Sequence, residues 1–385
     1  MNRKQFLILL GLVVVIGAAG LYVYRQNDTS WHERGTAIGQ KLLPGLAIND
    51  VAQITIQSSA GDVTLARQNN LWRVHERGDY PANFTQISEL LMKFADLKTV
   101  QNEEAGPSQL GRFELLPPGA TPHTGTALEF KDQSGKTLAT ILLGKKHLKK
   151  PAANSAPGGM GDEGWPDGRY VMAGAGAKTV ALISDPLDSV QPKPEQWLNK
   201  DFLSVEKPRA IAVRFPEATN SWTLDRAAET NDWQLADAKA GEKLDASKIS
   251  SVTSPFSSAS FNDVAALSAG IAASNTVVTV ETFDGFTYRS TIGPKKDDNY
   301  PMSFAITASL PAARTPAKDE KPEDKARLDK EFLARQKTLA DKLAKETAYT
   351  NWLYQLPAFS VDELLKTRSQ LLVEAGTNAP AAAEK

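Results

Sequence analysis

Val51-Ala52-Gln53-Ile54-Thr55-Ile56-Gln57 is the stretch on which the fold turns. Ala52, Ile54 and Ile56 share one face and Gln53, Thr55 and Gln57 the other, the period-two alternation of a half-buried strand. Val63-Thr64-Leu65-Ala66-Arg67 predicts a second strand and Leu71-Trp72-Arg73-Val74 a third, with Asn69 and Asn70 suited to the turn between them. The same series returns further along. Ile211, Val213 and Phe215 alternate with Ala212 and Arg214. Trp222-Thr223-Leu224-Asp225-Arg226 shares the Thr-Leu-x-Arg core of the second strand, and Trp233-Gln234-Leu235 matches Trp72-Arg73-Val74.

A helix follows in both copies. Asn83 suits an N-cap with Gln86 as its capping-box partner, and Ile87, Leu90, Leu91, Phe94 and Leu97 form a stripe at helical spacing. In the second copy Asp245 takes the cap, and Ile249, Val252 and Phe256 repeat the stripe more weakly before Ser254-Pro255 shortens or kinks it. A hairpin closes each copy. Leu128 and Phe130 lead to Gly135 and then Leu143-Gly144-Lys145-Lys146; Val278 and Val280 lead to Gly285 and then Ile292-Gly293. A last strand is expected around Tyr170-Val171-Met172 and around Phe304-Ala305-Ile306. An ordered series found twice predicts a duplicated unit of antiparallel sheet covered by a helix. Trp72 and Trp233 are expected as equivalent core anchors, since large aromatics dominate core burial.

The remaining segments set the boundaries. Residues 45–184 form the first α+β unit, with 151–168 as a long Pro/Gly-rich loop inside it. Residues 185–209 are a linker, 210–312 the second unit, 313–375 a charged helical arm and 376–385 a tail expected to be disordered. In the arm, Leu328, Phe332, Leu339 and Leu343 give one apolar edge to a helix that ends by Pro357. Ser360 and Glu363 predict the capping box of a last helix reaching Gly376. The arm either folds back on the second unit or offers its edge to another protein.

Residues 1–30 carry the strongest targeting signal. No charged or strongly polar side chain interrupts the run from Phe6 to Tyr24, long enough at ~1.5 Å per residue to cross nearly all of a ~30 Å hydrocarbon core. Arg3 and Lys4 favour a cytoplasmic N-terminus, with the bulk of the chain outside the cytoplasm. Gly17-Ala18-Ala19-Gly20 resembles a signal-peptide cleavage site, but the apolar run continues through Leu21 and Val23, the length of an uncleaved anchor. The fold class expected is therefore α+β: a transmembrane helix, two tandem sheet-plus-helix units and a helical arm.

Composition narrows the chemistry. The formal net charge is -1, without the basic footprint of a nucleic-acid binder, and 0 cysteines exclude thiolate metal sites, disulfides and a cysteine nucleophile. His32, His75, His123 and His147 sit at no metal-ligand spacing. Ser134-Gly135-Lys136-Thr137 resembles the end of a phosphate loop, but Phe130 stands where that loop needs glycine. No catalytic, cofactor-binding or metal-binding residue is assigned, and no cofactor is expected. Lys145, Lys146, Lys149 and Lys150 form a basic run. It reads either as a solvated loop or as a contact for anionic lipid headgroups or another acidic surface.

A membrane helix ahead of Val51-x-x-Ile54-x-Ile56, Val63-x-Leu65-x-Arg67, Trp72 and Tyr80-Pro81-Ala82-Asn83, with Trp352-Leu353-Tyr354-x-Leu356-Pro357 near the end, resembles the bacterial domain-of-unknown-function family 4340. Asn83 stands where that pattern has Asp, and both cap helices. The resemblance implies association with ABC-transporter components of the gliding-motility type, a periplasmic location on the inner membrane, and no catalytic residues to carry over. The expectation is a non-enzymatic, membrane-anchored accessory or scaffold protein with an integral-membrane or ABC-type partner, its oligomeric state open. The alternative is a cell-envelope enzyme acting on glycan or lipid, with its site between the two units.

Overall fold

The computed structural model describes residues 38–119, 122–149, 164–174, 179–271, 275–316 and 320–373. The predicted anchor Phe6–Tyr24 and the tail lie outside them. Among the described residues no helix is long and apolar enough to cross a membrane. The chain is mixed α+β, with two antiparallel sheets and a C-terminal helix, and divides into two units between Asn199 and Lys200.

The first unit runs β1 (Gln53–Ser58), β2 (Gly61–Gln68), β3 (Leu71–Val74), β4 (Tyr80–Pro81), helix α1 (Phe84–Asp96), β5 (Thr99–Glu104), β6 (Thr126–Lys131), β7 (Thr137–Lys149), β8 (Trp165–Ala173) and β9 (Thr179–Ile183). Its sheet order is β4-β3-β2-β1-β6-β7-β8-β9-β5. Asn69 and Asn70, at φ 50° and 64°, make the β2–β3 turn, a backbone region asparagine tolerates better than most residues. Asn83 caps α1, its Oδ1 accepting from the Gln86 N–H at 3.2 Å. The stripe Ile87, Leu90, Leu91 and Phe94 is buried. Phe94 meets Phe130 edge-on at 5.3 Å, so α1 closes the face formed by Ile54, Ile56, Leu65 and Phe130.

The second unit runs β10 (Pro208–Arg214), β11 (Trp222–Asp225), β12 (Gln234–Leu235), α2 (Ala246–Ile249), β13 (Asp263–Ala266), β14 (Thr276–Thr282), β15 (Phe286–Ile292), β16 (Asn299–Ala308), α3 (Pro322–Thr347), β17 (Trp352–Pro357) and α4 (Ala358–Val361). Its order, β12-β11-β10-β14-β15-β16-β17-β13, is that of the first sheet without β4. Register repeats as well as order. Ile54 pairs with Leu65 and Phe130, and Ile211 with Leu224 and Val280; Ile56 pairs with Val63 and Leu128, and Val213 with Trp222 and Val278. Gly135 and Gly285 turn the equivalent hairpins at φ 85° and 83°, a backbone region open chiefly to glycine.

Several boundaries differ from the sequence expectations. The charged helix ends at Thr347, and Trp352–Pro357, expected inside the arm, is β17, which fills the place β9 holds in the first sheet. The second unit therefore does not close at residue 312. An apolar run just after a long helix continues the helical pattern by eye, and only its pairing with β16 and β13 makes it a strand. The helix expected from Ser360 to Gly376 is instead α4 followed by two 3-10 turns, Asp362–Leu365 and Arg368–Leu371. Ser360 Oγ donates back to the Pro357 carbonyl at 2.7 Å instead of capping a helix. The span 185–209 is no bare linker, for Leu187, Val190, Trp197, Leu198, Leu203 and Val205 are all buried.

The weak second helix has a physical explanation. α2 is only 4 residues long. The apolar face of the second sheet is covered instead by α3, which buries Leu339 and Glu346 against it. Tyr288 Oη donates to Glu346 Oε2 at 2.7 Å and Lys342 Nζ lies 2.9 Å from Glu346 Oε1. Lys342 also donates to the Ser204 carbonyl at 2.7 Å. A buried carboxylate with these partners is satisfied. The arm thus folds back on its own unit.

Candidate functional site

The site with the clearest binding geometry lies on the second face of the first sheet, the side away from α1. Successive side chains of a strand point to opposite faces, so cross-strand partners form rows. One row runs Gln57, Ala127, Leu142 and Met172; the next runs Thr55, Glu129 and Thr140. The segment 107–118 lies over one end of these rows. Its Phe113 and Leu115 pack with Ala105 and Val180 into a small second core, which Leu110, Leu142, Tyr170 and Met172 flank. Gly144 lets this segment seat, because a Cβ there would stand 2.3 Å from the Phe113 carbonyl oxygen. Between segment and sheet lies a pocket of about 480 Å3, walled by Leu110, Leu115, Pro117 and Pro118 and floored by the two rows.

Among the described residues, Glu129 is the one ionisable residue in that lining. Its Oε1 accepts from the Thr137 hydroxyl at 2.6 Å, and Lys131 Nζ stands 2.9 Å from Oε2. The hydroxyl bond, then the lysine, hold the carboxyl below its ordinary range. With one carboxylate oxygen held by the Thr137 hydroxyl and the other by Lys131, this arrangement can bind and orient a ligand. A second cavity of about 500 Å3 borders α1 and is polar, lined by Gln86, Glu89, Lys93, Asp188 and Gln191 among others. Lys93 there pairs with Asp185 at 2.9 Å. Among the described residues no group of three His, Asp or Glu could hold a metal ion.

The basic run does not form a loop. Lys145, Lys146 and Lys149 lie in the distal half of β7, paired with β8, whose start at Trp165 shortens the expected loop 151–168. Consecutive lysines break the alternation that marks a strand, and the β8 partner supplies the pairing they do not advertise. Lys146 is ion-paired with Asp188. Lys145 sits over the Phe113 and Tyr170 rings at 5.7 and 5.9 Å. Lys149 is exposed beside Leu148 and Trp165, both also exposed, and His147 Nδ1 lies 2.6 Å from Asp167. Lys150 lies outside the described residues.

The two tryptophans part company. Trp72 is buried at 6% exposure and lines a cavity together with Phe84, Ile87 and Leu91 of α1. Trp233 is only half-buried, and Arg226 lies over its ring at 4.7 Å. The expectation of equivalent anchors is corrected: the second unit's deep anchor is Trp222, fully buried, its indole N–H donating to the Lys366 carbonyl at 2.7 Å. Residues of α1 border the cavity that Trp72 lines, whereas the matching helix in the second unit, α2, is only 4 residues long.

The apolar pocket was not foreseen from the sequence. Its signal was present in Ile141-Leu142-Leu143 and Val171-Met172, where apolar residues fall on both faces of a strand and so call for cover on both sides.

Comparison with known proteins adds one match. Residues 159–277 match the family model described as a domain of unknown function (DUF4340), a segment running from just before β8 into β14. No curated protein and no solved structure matches this chain.

Proposed function

We propose that this chain is a non-enzymatic accessory protein, tethered to a membrane by Phe6–Tyr24 and displaying its two sheet units outside the cytoplasm to bind or scaffold a membrane complex. The observation that carries this reading is the lining of the apolar pocket: it presents surface for a ligand while Glu129, the single ionisable group among its described residues, is already paired with Lys131 and Thr137. The deeply buried charges are likewise committed to structure. Glu346 is held by Tyr288 and Lys342, and Arg368 by Asp237 and Glu242. Groups so engaged serve the fold and leave binding as the available work. An ABC-type transport complex is the partner that the family resemblance implies.

The test is to isolate the full chain from membranes by affinity purification after an alkaline wash of the membranes. The expected result is retention in the washed pellet and a stoichiometric permease in the eluate. Release by the wash would sink the anchor, and a chain that repeatedly elutes without a membrane protein would sink the scaffold.

A further inference from the structure

We propose that the pocket on the second face of the first sheet binds the aliphatic chain of an uncharged amphiphile. The Ala127-Leu142-Met172 row takes the chain, and the Thr55-Glu129-Thr140 row takes its hydroxyl or ester end. The inference deepens the binding reading above by naming the ligand class.

Three observations converge. The first is size and composition. At about 480 Å3 the pocket falls within the range of small-molecule sites, roughly 300–1,000 Å3, which pair an apolar lining with a few polar groups. The second is the kind of apolar surface. Leu110, Leu115, Pro117, Leu142 and Met172 are all aliphatic, and among the described residues no aromatic ring lines the pocket to stack on a planar ligand. Met172 adds an unbranched, adaptable side chain suited to a flexible chain. The third is the division of the floor. Cross-strand pairing places Ala127 beside Leu142 in one row and Glu129 beside Thr140 in the next, so polar and apolar halves are separated by one strand step along the sheet.

The polar half also selects the head group. Glu129 and Lys131 form a charge-balanced pair at 2.9 Å, and the Thr137 hydroxyl holds the other carboxylate oxygen. A carboxylate or phosphate head would lie against Glu129 at like charge, and an ammonium head would compete with Lys131 for an oxygen already taken. The Thr55 and Thr140 hydroxyls both donate and accept, which suits an alcohol or ester.

The experiment uses the full chain in native membranes and a long-chain aliphatic alcohol carrying a photoactivatable group, with labelled peptides mapped by mass spectrometry. Labelling is expected on peptides spanning Leu110–Pro118 and Ala127–Leu142, and unlabelled alcohol should compete it away. Ala127→Phe fills the floor and should cut that labelling about tenfold or more, the equivalent of about 1.4 kcal/mol of affinity, while labelling elsewhere in the chain stays constant. A probe of equal length ending in a carboxylate should label these peptides less, and Glu129→Gln should raise its labelling. Labels confined to other peptides, or undiminished by Ala127→Phe, would overturn the pocket assignment; equal labelling by the carboxylate probe would overturn the uncharged head. Should Ala127→Phe lower the melting temperature, the wild-type peptide map and its competition decide alone. No partner is needed for this readout, so its failure and the loss of the permease are separate results.

Discussion

Trp72 in β3 and Trp233, just before β12, hold matching places in the repeated sequence and carry different loads. Arg67 pairs with Trp72 across the first sheet, and Arg226 stands over Trp233 in the second. Burial separates them, and burial depends on what lies above. We predict that Trp222→Ala and Trp72→Ala each cost about 3–5 kcal/mol by lost contacts and cavity formation. Trp233→Ala should cost less than either, because its ring is only half-buried. Urea unfolding of the three variants checks the order. A second prediction concerns pH. Arg368 is 7% exposed and grips Glu242 at 2.7 Å, which lowers that carboxyl to about 2. Because the folded value lies below an unfolded one of ~4.3, the pairing stabilises the fold above that pH and fades as pH falls towards 2. Melting temperatures of wild type and Glu242→Gln should therefore differ at neutral pH and converge near pH 2. At this scale the sequence was only partly legible: alternation marked Ile54, Ile56 and Trp72 as inward-facing, but nothing local to Trp233 says whether a helix covers it.

The elements show where local signals suffice. α1 declares itself through its cap and its stripe, and both are in place. Asn83→Ala should cost about 1 kcal/mol, the typical loss for an N-cap, and a urea midpoint shift without a change in slope would register it. β17 and the basic half of β7 are elements that their own residues do not declare, because a strand is fixed by partners distant in sequence. Lys145, Lys146, Lys149 and Lys150 also carry the alternative reading of the basic run, a contact with an anionic surface, against which a solvated surface without vesicle binding is the expected outcome. Changing all four to Gln should abolish any salt-sensitive binding to acidic vesicles, since exposed charges are screened beyond a Debye length of ~8 Å at physiological ionic strength. Binding that survives the change would place the attraction elsewhere. The Lys146–Asp188 pair is partly exposed, so its loss should move stability by no more than about 1 kcal/mol.

For the molecule as a whole, the duplication was legible and its closure was not. Strand order and register repeat across the two units, as the recurrence of Thr-Leu-x-Arg, tryptophan and hairpin glycine had indicated. What the pattern hid is that the second copy is interrupted: α3 is inserted before β17 and supplies the cover that α1 provides in the first. The apolar pocket escaped for a related reason, since a face is identified as covered only when the covering segment is known. The function proposed here rests on this architecture, two sheets each closed on one side by a helix, the first holding a pocket on its other side. Hydrogen exchange on the full chain tests it most directly. The amides of Trp352 to Leu356 lie between β16 and β13, as those of Thr179–Ile183 lie between β8 and β5. The account predicts that both segments exchange slowly and to a similar degree. Rapid exchange across Trp352 to Leu356, with Thr179–Ile183 still protected, would contradict it.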